Sequence, residues 1–148
     1  MTTSNEVMPY LVVKGAREAL DFYKVAFGAE EQFALIDPAD GRVGHAEFRI
    51  GGTTMMIADE YPDFGALSPD TLGGSPVKFE VSVENVDAAF AHVLSLGAVE
   101  VRPVKDQFFG YRSGTLIDPF GHSWTLSMRL EDVSPQEMQR RWNESMAG

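Results

Sequence analysis

His45 and Glu47 are the residues best suited to chemistry. They stand two apart in Gly44-His45-Ala46-Glu47-Phe48-Arg49-Ile50-Gly51. In an extended strand, residues i and i+2 share a face, so both side chains reach toward one point while Ala46, Phe48 and Ile50 turn the other way. Imidazole titrates near neutral pH and suits proton abstraction beside a carbonyl. One role for the pair is therefore a general base with a polar partner; another is part of a displaced metal site. A purely structural pair, hydrogen-bonded across the sheet or to Arg49, is the alternative. Of the remaining histidines, His122 lies in the tight Asp118-Pro119-Phe120-Gly121-His122 turn, where a structural role is expected. His92 falls on a helix face expected to be exposed, and no role is assigned to it.

The elements that must position these groups are written twice along the chain. Val13-Lys14-Gly15-Ala16 and Val83-Glu84-Asn85-Val86 each end an apolar strand and open a helical pattern. Ala16, Leu20, Tyr23 and Phe27 form one apolar stripe, and Val86, Ala89, Phe90 and Val93 form the other. Both helices stop at a Gly-Ala pair, Gly28-Ala29 and Gly97-Ala98. Gly44 and Gly114 each open a strand, and Gly51-Gly52 and Gly121-His122 each make a turn. The offset between copies is constant except for one residue lost between the helix ends. The spacing predicts an α+β fold of two βαβββ modules forming a curled mixed sheet with a central cleft, plus a C-terminal helix. As a single domain over 1–148, module one spans about 6–60, a connector 61–75, module two 76–130 and the last helix 134–145. Ser134 is the expected N-cap of that helix, Pro135 its first residue, and Glu137 the partner that closes a capping box.

Strands are expected near Met8 to Val13, Gln32 to Ile36, Gly44 to Ile50, Thr53 to Asp59, Val77 to Val83, Val99 to Val104, Ser113 to Ile117 and Ser123 to Arg129. Alternation along them sorts the side chains. Leu11, Val13, Phe79, Val81, Trp124 and Leu126 fall on the helix-covered face. The face left for the cleft carries Tyr10, His45, Glu47, Lys78, Glu80, Thr115, Ile117 and Thr125. Met55, Ile57 and Asp59 share one parity on the fourth strand and are assigned to the same cleft. A few convergent polar groups among apolar ones describe a small-molecule pocket. Phe108 and Tyr111, on a loop before a strand, are candidates to cap a ligand by stacking, as is Phe64 in the connector.

Bulk properties narrow the function. The 148 residues include no cysteine, which removes disulfides, thiolate metal sites and cysteine nucleophiles. A net charge of −10 disfavours nucleic acid and anionic membrane surfaces as partners. No apolar run is long enough to span a bilayer, and Met1 to Glu6 has neither the basic nor the apolar region of a signal peptide. A cytoplasmic location is expected.

Pro9-Tyr10-Leu11-Val12-Val13, followed by Ala19-Leu20-Asp21-Phe22-Tyr23 and Phe27-Gly28-Ala29, resembles the opening of the vicinal-oxygen-chelate (glyoxalase / bleomycin-resistance / dioxygenase) superfamily. The segment Gly44 to Gly51 is similar to its PhnB-like branch. So is Asp106-Gln107-Phe108-Phe109-Gly110-Tyr111-Arg112-Ser113-Gly114, with Asp118-Pro119-Phe120-Gly121-His122-Ser123-Trp124. The resemblance implies paired βαβββ modules and a homodimer. In metal-dependent members it implies a divalent ion held by His, Gln or Glu on four strands. Carried onto this chain, those positions fall on Met8, on Met55 or Ile57, on Lys78 and on Thr125, none of them a usual ligand. A shift of two residues reaches Tyr10, Asp59, Glu80 and Ser127, again not a usual set. No cofactor is therefore expected, a divalent metal bound elsewhere being the alternative. The resulting expectation is a glyoxalase/bleomycin-resistance-like protein binding a small organic ligand in the cleft, by similarity to proteins that trap a cationic drug. The alternative is a lyase or isomerase acting on a small oxygenated metabolite through His45 and Glu47.

Overall fold

The computed structural model describes residues 4–147. Residues 1–3 of the N-terminal segment and Gly148 lie outside the described residues. The chain runs β1 (Tyr10–Val13), α1 (Ala16–Phe27), β2 (Glu30–Ile36), β3 (Val43–Ile50), β4 (Thr53–Asp59), α2 (Pro69–Leu72), β5 (Lys78–Ser82), α3 (Val86–Ser95), β6 (Val99–Asp106), β7 (Tyr111–Ile117), β8 (Ser123–Arg129) and α4 (Pro135–Ala147). Two four-stranded sheets form with the same order, β1-β4-β3-β2 and β5-β8-β7-β6. In each, the first strand pairs in parallel with the last, and the others pair antiparallel. The repeat in the sequence is thus a repeat of topology. The chain divides into two units: residues up to Pro76 together with Pro119–His122, and Val77–Asp118 with Ser123 onward.

In unit one the core lies between α1 and one face of its sheet. Ala16, Ala19, Leu20 and Tyr23 of α1 are buried. Beneath them lie Leu11 and Val13 of β1, Ala46 and Phe48 of β3, and Met55 and Ile57 of β4. The Tyr23 ring stacks on Phe48 with centroids 5.7 Å apart. Each such fully buried large side chain contributes roughly 1.5–3 kcal/mol of transfer free energy. In unit two Val86, Phe90 and Val93 of α3 cover Leu116, Trp124 and Leu126.

The two helices begin differently. Asn85 caps α3 with its own side chain, accepting the Ala88 N–H at 3.1 Å. The corresponding residue before α1 is Gly15, in the left-handed conformation at φ +86°, with no side chain to offer. Asp59, at the end of β4, takes over that task. One of its oxygens accepts the N–H of Gly15 and of Ala16, both at 2.8 Å, and the other accepts the Val43 N–H at 2.8 Å.

One local feature is added and one expectation changes. The connector holds a 3₁₀ turn at Pro62–Phe64 and the short α2, capped by Ser68. At α4, Ser134 Oγ accepts the Glu137 N–H at 3.1 Å as an N-cap should. The Glu137 carboxylate does not reach back to close the box, because Arg140 and Arg141 hold it at 2.8 and 2.7 Å.

A pH dependence follows from α1. Glu31 on β2 receives the Arg17 guanidinium at 2.7 and 3.3 Å and the Lys24 ammonium at 3.0 Å. The Arg17 hydrogen bonds, then that of Lys24, pull its carboxyl from 4.5 to about 2. A pKa depressed on folding gives stability that is present above 4.5 and lost as pH falls toward about 2. Glu31→Gln is expected to flatten this part of the stability–pH curve, measured by denaturant unfolding across that window. An unchanged slope would contradict it.

Candidate ligand-binding faces

On unit one the face away from α1 carries Tyr10, His45 and Glu47, each intermediate or exposed. Tyr10 and the His45 segment are brought together through β4, which pairs with β1 on one side and β3 on the other. The Tyr10 hydroxyl lies 2.8 Å from His45 Nδ1, and His45 Nε2 lies 3.2 Å from Glu47 Oε2. An ionised carboxylate only accepts, so a neutral imidazole carries its proton on Nε2 and donates to Glu47. Nδ1 is then the acceptor, and the Tyr10 O–H donates to it. Burial, and then the Glu47 charge, push the Tyr10 phenol above its ordinary 10, so it holds its proton at neutral pH. The Phe33 ring flanks His45 at 5.8 Å. Arg49 is not part of this network, which removes one of the structural partnerships considered for the pair.

Tyr10 also borders a recess of about 530 Å³ lined by Val12, Ala58, Tyr61, Phe64 and Ala66. Phe64 is 85% exposed, with its ring 6.3 Å from that of Tyr61.

Two expected members of this face are elsewhere. Met55 pairs with Phe48 and Ile57 with Ala46, so both lie on the core side, 3% and 0% exposed. Asp59 follows the same parity and its carboxylate is occupied at the start of α1, while the residue also lines the recess beside Tyr10. The open face of β4 belongs to Thr54, Met56 and Ala58. The physical reason is that Met55-Met56-Ile57-Ala58 is apolar at both parities, so alternation gives no register there.

On unit two the open face gathers Lys78, Glu80, Thr115 and Thr125 around a pocket of about 190 Å³. The register explains it: Glu80 pairs with Thr125, Thr125 with Thr115, and Thr115 with Arg102. The two threonine hydroxyls are 2.8 Å apart. The buried Ser127 Oγ donates to Glu80 Oε2 at 3.1 Å, and Gln107 Nε2 donates to the Ser113 carbonyl at 3.4 Å. Arg102, Gln107, Phe109 and Ser113 complete the wall. The sequence reading missed these four, although Ser113 follows from Thr115 by parity. Phe109, rather than Phe108 or Tyr111, is the aromatic ring at this wall. Phe108 instead packs on Trp142 of α4 at 5.8 Å and gives its carbonyl to Arg141. Tyr111 lies under the Arg129 guanidinium at 5.9 Å.

His122 is buried with Nε2 3.2 Å from the Val12 carbonyl, a structural position. His92 is on the exposed side of α3. At the positions onto which the resemblance carries the metal ligands, Met8 is exposed ahead of β1, Ile57 is in the core, Lys78 offers an ammonium and Thr125 a hydroxyl already bonded to Thr115. These donors do not fit a hard divalent ion. Among the described residues no group of three or more His, Asp or Glu side chains is arranged to hold one.

The model of the Glyoxalase/Bleomycin resistance protein/Dioxygenase superfamily matches residues 4–126, and the chain belongs to that superfamily. Mb0911c, an uncharacterised protein of Mycobacterium bovis, is 41% identical over 134 residues, 88% of either chain. The Arabidopsis thaliana protein At5g48480 is 30% identical over 128 residues, 80% of this chain and 75% of its own. Its crystal structure resembles this one with a TM-score of 0.68 at 27% identity, covering 84% of this chain and 99% of that one. The PhnB protein of Bacillus cereus shares the fold with a TM-score of 0.67 at 24% identity, over 84% and 99% of the two chains.

Proposed function

We propose that the protein binds a small organic ligand at the open face of module one, without the metal chemistry of its metal-dependent relatives. The carrying observation is the recess of about 530 Å³ bounded by the Tyr10, Tyr61 and Phe64 rings. Aromatic walls with one oriented hydroxyl suit a partly apolar, oxygen-bearing molecule. A homodimer in the cytoplasm belongs to the same reading. The test is a screen of small oxygenated aromatics by amide chemical shifts. Binding should perturb Tyr10, Ala58, Tyr61 and Ala66, and Phe64→Ala should weaken it about tenfold by removing one stacking wall. Hits that map away from this recess, or none at all, would refute the proposal.

The Tyr10–His45–Glu47 chain favours a second reading, proton transfer on the bound molecule. Glu47 orients the imidazole, His45 Nδ1 takes the Tyr10 proton, and the phenolate oxygen abstracts one from the ligand. His45→Ala is then expected to lower turnover by about 10²–10⁴-fold, with folding intact by circular dichroism. Ligand recovered unchanged after incubation with the unaltered protein leaves binding alone.

A further inference from the structure

We infer that the pocket on module two is an oxyanion subsite, built for a small acid that also carries a hydroxyl or amino group. It deepens the ligand-binding reading but uses none of the module-one residues. The chain is strongly acidic, with 22 carboxylates against 12 Lys and Arg. Its arginines are mostly committed. Arg112 bridges Asp87 and Asp106 at 2.9 and 2.8 Å, and Arg140 bridges Glu137 and Glu144 at 2.8 Å each. Lys78 and Arg102 differ: among the described residues neither side chain forms an ion pair or a hydrogen bond, yet both line the same pocket of about 190 Å³.

Two uncommitted cations facing one small recess are mutually repulsive, and the arrangement is relieved by an anion between them. A guanidinium and an ammonium together supply a planar fork and a point charge, the usual means of holding carboxylate or phosphate. The Thr115 and Thr125 hydroxyls, bonded to each other, leave lone pairs and one proton for a further contact. Glu80 lines the same pocket, fixed by the Ser127 hydroxyl at 3.1 Å. One carboxylate opposing two cations leaves a single positive charge, and the free Glu80 oxygen asks for a donor. The occupant that satisfies all of these is a monoanion with a hydroxyl or amine beside its acid group. The volume equals about six waters at ~30 Å³ each, so only a small acid or the acid end of a larger molecule fits.

The test uses the full chain with inorganic phosphate, glycerate and neutral glycerol as probes, followed by amide chemical shifts. Phosphate and glycerate are expected to give saturable shifts at Lys78, Arg102, Ser113 and Thr125, and glycerol none. Glycerate binding more tightly than phosphate marks a carboxylate site, and the reverse order a phosphate site; either supports the inference. Lys78→Met and Arg102→Met are each expected to weaken binding about tenfold, and the double variant to abolish saturation. Both side chains are exposed or at the sheet surface, and an unchanged Tm confirms the fold. Glu80→Gln should tighten phosphate while reducing the preference for glycerate. Equal response to glycerol, or shifts that persist in the double variant, would overturn the inference. Loss of binding at the module-one recess alone would leave it standing, so the two proposals fail separately.

Discussion

Asp59→Ala is expected to lower folding stability by about 3–5 kcal/mol. The estimate rests on three backbone N–H groups, of Gly15, Ala16 and Val43, that all donate to this one carboxylate at 2.8 Å. A buried donor left without its acceptor costs about 1–3 kcal/mol, and hydrogen bonds to a charged acceptor are at the strong end. Asp59 is 9% exposed, so water replaces it poorly. Asp59→Asn keeps one acceptor oxygen and should lose about half as much. The measurement is the urea midpoint at constant m-value. A loss below about 1 kcal/mol for the alanine variant would show that these bonds do not organise the helix start.

Gly110→Ala should be comparably damaging, by about 2–6 kcal/mol, and should also disturb the module-two pocket. Gly110 has φ +92°, a region where L side chains are strained by about 1–3 kcal/mol. A Cβ there would stand 2.7 Å from the Glu131 carbonyl oxygen and 2.8 Å from a Val133 methyl. The obstacle is partly backbone and cannot rotate away, adding about 1–3 kcal/mol. The Gly110 carbonyl also receives the N–H groups of Leu130 and Glu131 at 2.8 and 3.2 Å, which ties the end of β8 to the loop. Gln107 and Phe109, on that loop, form part of the pocket wall. The expected result is a lowered Tm together with weakened phosphate binding. A normal Tm would contradict the steric account.

How much of this was readable beforehand depended on whether a strand alternates. On β3 it does: His45 and Glu47 alternate with Ala46 and Phe48, and the face assignment agrees with the burial. The same holds for Lys78 and Glu80 against Phe79 and Val81. On β4 four consecutive apolar residues erase the signal, so Met55 and Ile57 were assigned to the wrong side. The repeat itself was legible because glycines and apolar stripes recur at fixed spacing. What spacing could not show were contacts between distant segments. Tyr10 and His45 are 35 residues apart, and nothing local announces their hydrogen bond. The role of Asp59 at the start of α1 was not legible, because its partners are backbone groups, which carry no sequence signature. Arg102 was passed over because β6 is irregular, with register shifts on both sides of it.

The unequal helix starts have a kinetic consequence. Asn85 meets its partner three residues away, so α3 can be capped as soon as that turn forms. The start of α1 waits for Asp59, 43 residues later, and so for β4 to dock. Closing a long loop carries an entropic penalty before any contact rewards it. Module two should therefore nucleate first, with module one's helix consolidating late. In a chevron analysis, Asn85→Ala should slow refolding, whereas Asp59→Ala should mainly accelerate unfolding.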